Sequence, residues 1–381
     1  MKRIPIIASL LVGMSFIIGC WDAQSVEKIN YISAIGLDYE KPNYVVYAQL
    51  MEFGAIAKQE TAGSRGSSKT WVGKGMGETL NLAMSDLYNT AQQRMTWSHV
   101  TTILIGEKAL KQWPGGYADA LTRFREIRFT PWVFATRQPL TEIMNAPAFF
   151  NLSPRDTIAH SPAANYMQHS WILPIQYMTF LGDYNEPART VILPILSINP
   201  DQWKKSEKPD PKLTWDGAFI ISGKKIKGAL KNEDLKGLRW VTGNTVRSPL
   251  KVQENGKLLG VVSLEDPLVH IDVKQASGRP QYHLRISLQG NVVELLANTP
   301  EKKLIAAAKQ MMEDEIRFTY EKGIAVHADV LQLQYALYLQ HYKDWKRMPE
   351  GQPALDKDSL AGVDIQLKLL HSGMLKEKEK K

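Results

Sequence analysis

The sequence LVHIDVKQASGRPQYHLRISL, residues 268–288, alternates apolar and polar side chains over most of its length. Apolar residues take every second position over 269–273 and again over 282–288. A period of two predicts β-strands, because successive side chains of a strand point to opposite faces of its sheet. Strands that alternate in this way are typical of antiparallel sheets with one buried and one solvated face. The stretch therefore predicts an antiparallel sheet in the second half of the chain.

Helical periodicity occurs on both sides of these strands. Residues 300–322 place apolar side chains three and four positions apart, which predicts a long amphipathic helix. A further helix is predicted over 330–345, and a closing strand over 363–367. In the first half, apolar residues on one helical face predict an amphipathic helix over 80–91. The strands predicted for the first half are 31–37, 44–51, 100–105 and 132–135.

The predicted fold class is α+β, with two or three mixed domains whose antiparallel or mixed sheets are flanked by helices. A chain of 381 residues exceeds what one ordinary core needs. Residues 199–211 are rich in proline and charge, which indicates a linker. Strands predicted over 215–221 and 225–230 then begin the second domain. The predicted divisions are a signal peptide over 1–19, a first domain over 20–200, a linker over 201–212, a second domain over 213–373 and a charged tail over 374–381.

The amino terminus predicts an export signal. Met1-Lys2-Arg3 is basic, and the apolar run over 4–18 would span about 22 Å as a helix, short of a stable membrane span. Ile17-Ile18-Gly19-Cys20 resembles the bacterial lipobox, in which the cysteine thiol receives a diacylglyceryl group before cleavage ahead of it. Two acyl chains are enough for stable anchoring. The alternatives are an uncleaved signal anchor and a buried cysteine without a role.

Composition excludes several classes of function. Cys20 is the only cysteine, which excludes an intramolecular disulfide, a cysteine-based zinc site and an iron–sulfur cluster. Lys and Arg number 47 against 39 Asp and Glu, and the excess of +8 is spread along the chain. Aromatic residues are not interleaved with basic clusters, so no nucleic-acid site is predicted. A mild preference for anionic surfaces remains.

No catalytic, cofactor or metal site is predicted. The glycines over 73–77 lack the third glycine of a dinucleotide-binding loop, so a loop before a helix is the better interpretation. Residues 217–225 do not have the spacing of a phosphate-binding loop and predict a hairpin. Ser153, Asp156 and His160 lie too close in sequence to hold the geometry of a catalytic triad. A cell-wall enzyme without a recognised motif is the residual enzymatic alternative.

Several motifs follow one another along the chain in an order that is similar to one protein family. They are Gly19-Cys20-Trp21-Asp22, the strand 32–38, residues 94–99 leading into 103–107, residues 123–128 before a strand, the hairpin segments 217–219 and 227–230, and the late segments 328–330 and 343–346. Together they resemble the Ger(x)C family, the lipoprotein C subunits of spore germinant receptors in endospore-forming bacteria. Residues 123–128 are similar to the family's Arg-x-x-Glu-x-Arg motif. This chain has an additional arginine, Arg125, between Arg123 and Glu126, which leaves open which of the arginines has the role of the family's arginine.

The resemblance implies a function without catalysis. A C subunit would be attached to the outer face of the inner spore membrane through Cys20, as an N-palmitoyl, S-diacylglycerol cysteine. It would assemble with two polytopic membrane subunits, of the A and B types, and help couple nutrient sensing to germination. No cofactor, metal or nucleic acid is implied. The residues implied as structural or partner contacts are Arg94, His99, Glu107, Arg125, Glu126, Arg128 and Trp345.

A lipid-anchored solute-binding protein of an importer is the alternative function. Such a protein would have two α/β lobes with nearly continuous apolar parallel strands. The alternation over 269–288 argues against that architecture.

Overall fold

The computed structural model describes residues 28–51, 70–112, 117–276, 279–296, 299–348 and 355–371. The predicted signal peptide, Cys20 and the charged tail over 374–381 lie outside the described residues. The described residues form a ten-stranded sheet, a four-stranded sheet and a two-stranded ribbon. Helices pack on both larger sheets, which confirms the predicted α+β class.

The ten-stranded sheet is mixed. Strands up to residue 230 are β1 (Ile29–Glu40), β2 (Asn43–Met51), β3 (Trp71–Gly77), β4 (Arg94–Thr96), β5 (Thr102–Gly106), β6 (Trp132–Thr136), β7 (Ile175–Gln176), β8 (Thr190–Asn199), the ribbon β9 (Lys204–Lys205) and β10 (Lys208–Pro209), β11 (Lys212–Ser222) and β12 (Lys225–Leu230). The sheet order is β12-β11-β8-β6-β5-β1-β2-β3, with β4 beside β1 and β7 beside β6. Strands β1, β5, β6 and β8 are parallel, and antiparallel strands flank them on both sides.

Apolar side chains are buried on both faces of this sheet. The helices of this half are α1 (Leu80–Asp86), α2 (Glu107–Gln112), α3 (Tyr117–Arg123), α4 (Leu140–Met144), α5 (Pro162–Gln168) and α6 (Tyr177–Asn185). Helices α1, α2 and α6 pack on one face, where Ile35, Ile103 and Val133 are buried. Helix α4 packs on the other face, against Leu104 and Phe134. Consecutive residues of the central strands are therefore both buried, as parallel strands require.

The four-stranded sheet occupies the second half. Its strands are β13 (Ser248–Glu254), β14 (Lys257–Ala276), β15 (Arg279–Leu295) and β16 (Leu360–His371), and its helices are α7 (Leu238–Val241), α8 (Glu301–Ala325), α9 (Leu333–Gln340) and α10 (Tyr342–Arg347). The order is β13-β14-β15-β16, antiparallel except for the parallel pair β15–β16. Leu304, Ala308 and Met312 on one side of α8 pack on the inner face of the sheet.

The strand pair predicted from residues 268–288 is confirmed. Val269 pairs with Ile286, and Ile271 with Leu284, in an antiparallel ladder. The hairpin between β13 and β14 turns at Asn255 and Gly256, which have φ values of 50° and 75°. Positive φ at both positions is the geometry of a type I′ turn, for which Asn-Gly is the favoured pair.

The hairpin β11–β12 lies in residues 213–230, which the predicted division gives to the second domain, and it pairs with a strand of the first half. It extends the first sheet instead, because β11 pairs with β8 from Thr190 to Asn199 and thereby covers an edge that would otherwise be exposed. Its two faces are buried in different cores. Phe219 and Ile221 lie in the core of the first half, whereas Ala218 and Ile220 lie in that of the second.

The glycine-rich stretch over 73–77 is a strand, so the interpretation as a loop was wrong. A side chain at Gly75 would collide with the backbone carbonyl of Ala83 in α1, and one at Gly77 with the Ala83 backbone nitrogen. Glycine in a strand interior often marks such a close backbone approach.

The single helix predicted over 330–345 is two helices in the structure. The helical chain breaks at His341 and forms the two short helices α9 and α10.

Polar contacts join the two halves. The Gln332 side-chain amide donates to the backbone carbonyl of Thr190 (2.7 Å) and accepts from its backbone N–H (3.2 Å), as a neighbouring strand would. The Arg189 guanidinium lies 4.4 Å from the ring centre of Tyr335 in α9. On another side, the Ser170 hydroxyl accepts from the backbone N–H of Arg247 at 3.1 Å.

Candidate partner-contact sites

Arg94 and His99 lie beside the start of β1, and Glu126 contacts the segment between them. Arg94 begins β4 and is paired in parallel with Ile29. The His99 ring packs edge-on against the Tyr31 ring, with 4.9 Å between their centres. The structure therefore brings these three predicted residues to the first strand that follows the predicted anchor.

Trp97 holds this region in place. Its side chain is fully buried, and its indole nitrogen donates to the Tyr88 hydroxyl at 2.9 Å. The Phe124 ring packs edge-on against it, with 5.9 Å between ring centres. The Glu126 carboxylate then accepts from the Trp97 backbone N–H at 3.1 Å and lies 3.5 Å from the Thr96 hydroxyl. Glu126 therefore fastens the segment that carries Arg94 and His99.

Arg125 and Arg128 lie just after a helix, in the turn that carries Glu126. Helix α3 ends at Arg123, and the next residues form a turn. Both arginine side chains are exposed and lie on either side of Glu126 in sequence. In this turn the Glu126 side chain contacts residues 96–97, whereas the guanidinium groups of Arg125 and Arg128 are exposed to solvent.

Glu107 and Trp345 lie elsewhere. Glu107 begins α2 at the end of β5 and forms an ion pair with Lys111 at 3.1 Å. Trp345 lies in α10, where its ring is 4.8 Å from that of Tyr338 and 6.1 Å from that of Tyr342. This aromatic cluster belongs to the second half, so the predicted residues fall into three separate places.

The Glu126 contact predicts a measurable stability effect. Glu126→Ala removes the acceptor of the Trp97 N–H, and we expect it to lower the free energy of unfolding by about 1 kcal/mol, because the carboxylate is exposed. Urea unfolding followed by tryptophan fluorescence measures this. Arg125→Ala is the matched control and is expected to change the free energy by less than about 0.5 kcal/mol. Equal effects of the two variants would contradict the fastening role of Glu126.

Sequence reasoning missed a caged arginine at the junction of the two halves. The Arg239 guanidinium lies between the rings of Trp171 and Trp240, 4.5 and 4.3 Å from their centres. It donates to both carboxylate oxygens of Glu315, at 3.0 and 2.9 Å. Burial lowers the pKa of Arg239, and the nearby Glu315 carboxylate opposes that shift. Residues 171, 239–240 and 315 are far apart in sequence, so no local motif indicates the cage.

His160 is buried but does not form a triad with Ser153 and Asp156. Its Nδ1 lies 2.7 Å from the Thr101 hydroxyl and 3.1 Å from the Thr102 hydroxyl. The Ser153 hydroxyl instead accepts from the backbone N–H of Arg155. Burial, with a smaller effect of the Arg155 charge, lowers the pKa of His160 to about 3. The imidazole is therefore neutral, and it joins β5 to the segment that follows α4.

Asp329, in the late segment 328–330, has a structural role. Its Oδ2 accepts from the backbone N–H of Gln334 at 2.6 Å and so caps the start of α9. Burial raises the pKa of Asp329 to about 6.

The described residues contain no group of three or more His, Cys, Asp or Glu that could hold a metal ion. No helix in the described part of the chain is long and apolar enough to cross a bilayer.

Two family models match successive parts of the chain. The spore germination protein N-terminal domain matches residues 22–198, and the spore germination B3/GerAC-like C-terminal domain matches residues 216–373. The chain belongs to the Ger(x)C family of spore germination proteins. Membership of this family indicates a role in spore germination. The matched order confirms the resemblance that the sequence motifs indicated.

Ger(x)C relatives and one solved structure agree with this membership. Spore germination protein KC of Bacillus subtilis (strain 168) is 23% identical over 94% of this chain and 92% of its own length. The putative spore germination protein YfkR of the same strain is 23% identical over 72% of this chain and 71% of its own. The crystal structure of the GerBC protein superposes with a TM-score of 0.51 over 89% of this chain and 96% of that chain, at 15% identity. That likeness shows a shared fold.

The boundary between the two Ger(x)C domain models falls inside the ten-stranded sheet. The first model ends within β8 and the second begins within β11, and these two strands are paired. The domains of the family therefore share a sheet and a buried junction in this chain.

Proposed function

We propose that this chain is a lipid-anchored, non-catalytic subunit of a nutrient germinant receptor. The observation that carries the proposal is the position of Cys20, two residues ahead of the germination-protein domain that begins at residue 22. A lipobox directly before the first residue of the family domain attaches the whole body to a membrane surface. Two acyl chains make that attachment stable.

The anchor places the first candidate site near the membrane. Residues 20–28 can span at most about 30 Å before β1 begins. Arg94, His99 and Glu126 lie at that end of β1, within reach of a partner that projects from the bilayer. The exposed cations Arg125 and Arg128 are next to them and would meet acidic groups of such a partner.

The proposed partners are two polytopic membrane subunits of the A and B types, on the outer face of the inner spore membrane. Anchoring to the same bilayer raises the effective concentration of the partners for one another without any new contact. This chain would then help couple nutrient sensing to germination through contacts rather than through chemistry of its own.

Affinity capture of the tagged chain from detergent-solubilised spore membranes tests the proposal. We expect mass spectrometry to identify two polytopic membrane proteins in comparable amounts. Arg125→Ala combined with Arg128→Ala is expected to lower their recovery, whereas Lys251→Ala, on an exposed part of β13, leaves it unchanged. Recovery of the chain alone would contradict the receptor assignment, and importer components would support a solute-binding protein instead.

A further inference from the structure

Strand β16 (Leu360–His371) forms an edge of the four-stranded sheet. It pairs in parallel with β15 from Tyr282 to Asn291, and no other strand of the described residues pairs with its second side. At 12 residues it is a long edge, of about 40 Å. A strand edge of this kind presents a row of N–H and C=O groups to which another strand can bind.

The two faces of β16 differ in character. Val363, Ile365 and Leu367 are buried and contribute to the core beneath α8. Asp364, Gln366 and Lys368 alternate with them and are exposed on the opposite face. A strand added at this edge must therefore offer apolar residues to the first face and polar residues to the second.

The β16 strand of a second copy of this chain meets this requirement. In an antiparallel pair of two copies with Gln366 opposite its own counterpart, Asp364 lies opposite Lys368 of the second copy, and Lys368 opposite Asp364. Opposite charges on directly facing positions stabilise a strand pair. On the buried face, the same register puts Ile365 opposite Leu367.

Other registers lose this match. A shift of one residue would place exposed polar side chains against the apolar face. Centring the pair on Ile365 sets Asp364 opposite Gln366, and centring it on Leu367 sets Asp364 opposite Leu370. Only the register centred on Gln366 pairs both charges.

We propose that β16 is a self-association edge through which two copies of this chain pair antiparallel about a two-fold axis at Gln366. Both four-stranded sheets then become one continuous sheet. The contact is isologous, because the same residues of both copies form it. The Asp364 carboxylate also lies 2.8 Å from His283 Nε2 on β15, and in the antiparallel pair centred on Gln366 it faces Lys368 of the second copy, so the two charges are matched twice.

Charge exchange at these positions tests the proposal by sedimentation equilibrium. The full chain is used with Cys20→Ala, which removes the acylated thiol, and it is expected to dimerise reversibly at concentrations up to about 0.1 mM. Asp364→Lys and Lys368→Asp each convert two attractive pairs into repulsive ones, so each is expected to weaken the dimer about 30-fold. The double variant Asp364→Lys/Lys368→Asp restores the attraction and is expected to dimerise as the parent chain does.

Mixing the two single variants gives the sharper result. One variant carries two lysines on the exposed face of β16 and the other two aspartates, so a mixed pair is fully complementary. We expect the mixture to form heterodimers as tightly as the parent chain dimerises, although each variant alone dimerises about 30-fold more weakly. Association through residues 4–18 would not respond to these changes.

A thiol at the proposed axis measures the register. In the Cys20→Ala chain, Gln366→Cys adds the only thiol, and facing residues of an antiparallel pair lie at Cα separations that a disulfide can bridge. Oxidation is expected to yield covalent dimers, whereas Lys251→Cys on the opposite edge yields none. A parent chain that remains monomeric, or single variants that dimerise as it does, would overturn the proposal, and so would cross-linking of a different protein to position 366.

Discussion

Arg239→Ala is expected to lower the free energy of unfolding by about 3–5 kcal/mol, the range found when one partner of a buried ion pair is removed. The Arg239 side chain is 5% exposed and that of Glu315 is 18% exposed. Without the guanidinium, the Glu315 carboxylate keeps the Trp240 indole N–H at 2.6 Å as a donor but loses its opposite charge. The rings of Trp171 and Trp240 also lose their contacts with the flat guanidinium group. The cavity that remains there lowers the free energy of unfolding further.

Urea unfolding followed by tryptophan fluorescence measures the loss. Lys74→Ala is the matched control, because Lys74 and Glu40 form an ion pair of similar length, 2.9 Å, between exposed side chains. Exposed pairs contribute about 0–1 kcal/mol, so the control should change little. An Arg239→Ala chain that is as stable as the Lys74→Ala chain would contradict the importance of the cage.

Two further variants separate charge from packing in the cage. Arg239→Lys keeps the charge but loses the two hydrogen bonds that Nη2 donates to the Glu315 carboxylate and the contact of the flat guanidinium with the two indole rings, so it should remain clearly destabilised. Replacing both members, Arg239→Met with Glu315→Met, leaves no unpaired charge and should cost less than Arg239→Ala alone.

Elements whose signal is local were predictable from the sequence. The alternation over 269–288 corresponds to the β14–β15 ladder, and the apolar face over 300–322 corresponds to α8. The Asn-Gly turn before β14 has the positive φ values that this pair favours. In each case residues within a few positions of one another determine the structure.

Elements whose structure depends on distant contacts were not predictable. Strand β3 has three glycines, which disfavour a strand locally, but they let α1 lie directly on the sheet. The hairpin β11–β12 follows a stretch that has the composition of a linker, yet it pairs with β8 because both of its faces are buried. The break at His341 likewise divides a run with continuous helical periodicity.

The candidate sites also separate into features that the local sequence indicates and features that only distant contacts create. The motif over 94–99 indicated that Arg94 and His99 lie together, but only the fold brings Glu126 to the backbone of Trp97. The cage of Arg239 and the buried His160 combine residues from distant segments, so spacing alone did not reveal them.

His160 predicts a loss of stability in acid. Its pKa is lowered to about 3 in the folded chain by burial, from an ordinary value of 6.5. Between these values the unfolded chain binds a proton that the folded chain excludes, so stability falls as the pH falls below 6.5. The slope is about 1.4 kcal/mol per pH unit, which gives a loss of about 2–3 kcal/mol between about pH 6.5 and about pH 4.5.

Comparison with His160→Gln isolates this contribution, because glutamine can still bond to the threonine hydroxyls and does not titrate. Urea unfolding of both chains across this pH range should show the parent losing about 2–3 kcal/mol relative to the variant. Parallel pH profiles would contradict the buried, neutral state of His160.

Asp329 supplies a control of opposite sign. Its pKa is raised to about 6 in the folded chain, from 3.8, so the folded chain binds the extra proton between these values. Acidification through this range therefore stabilises the fold, and the parent should gain relative to Asp329→Asn while it loses relative to His160→Gln. The titrations of His160 and Asp329 change the free energy of unfolding in opposite directions over the same pH range. The free energy of unfolding of the parent chain should therefore vary less with pH in that range than that of either variant. Below 3.8 the gain from Asp329 is complete, and only the loss from His160 continues.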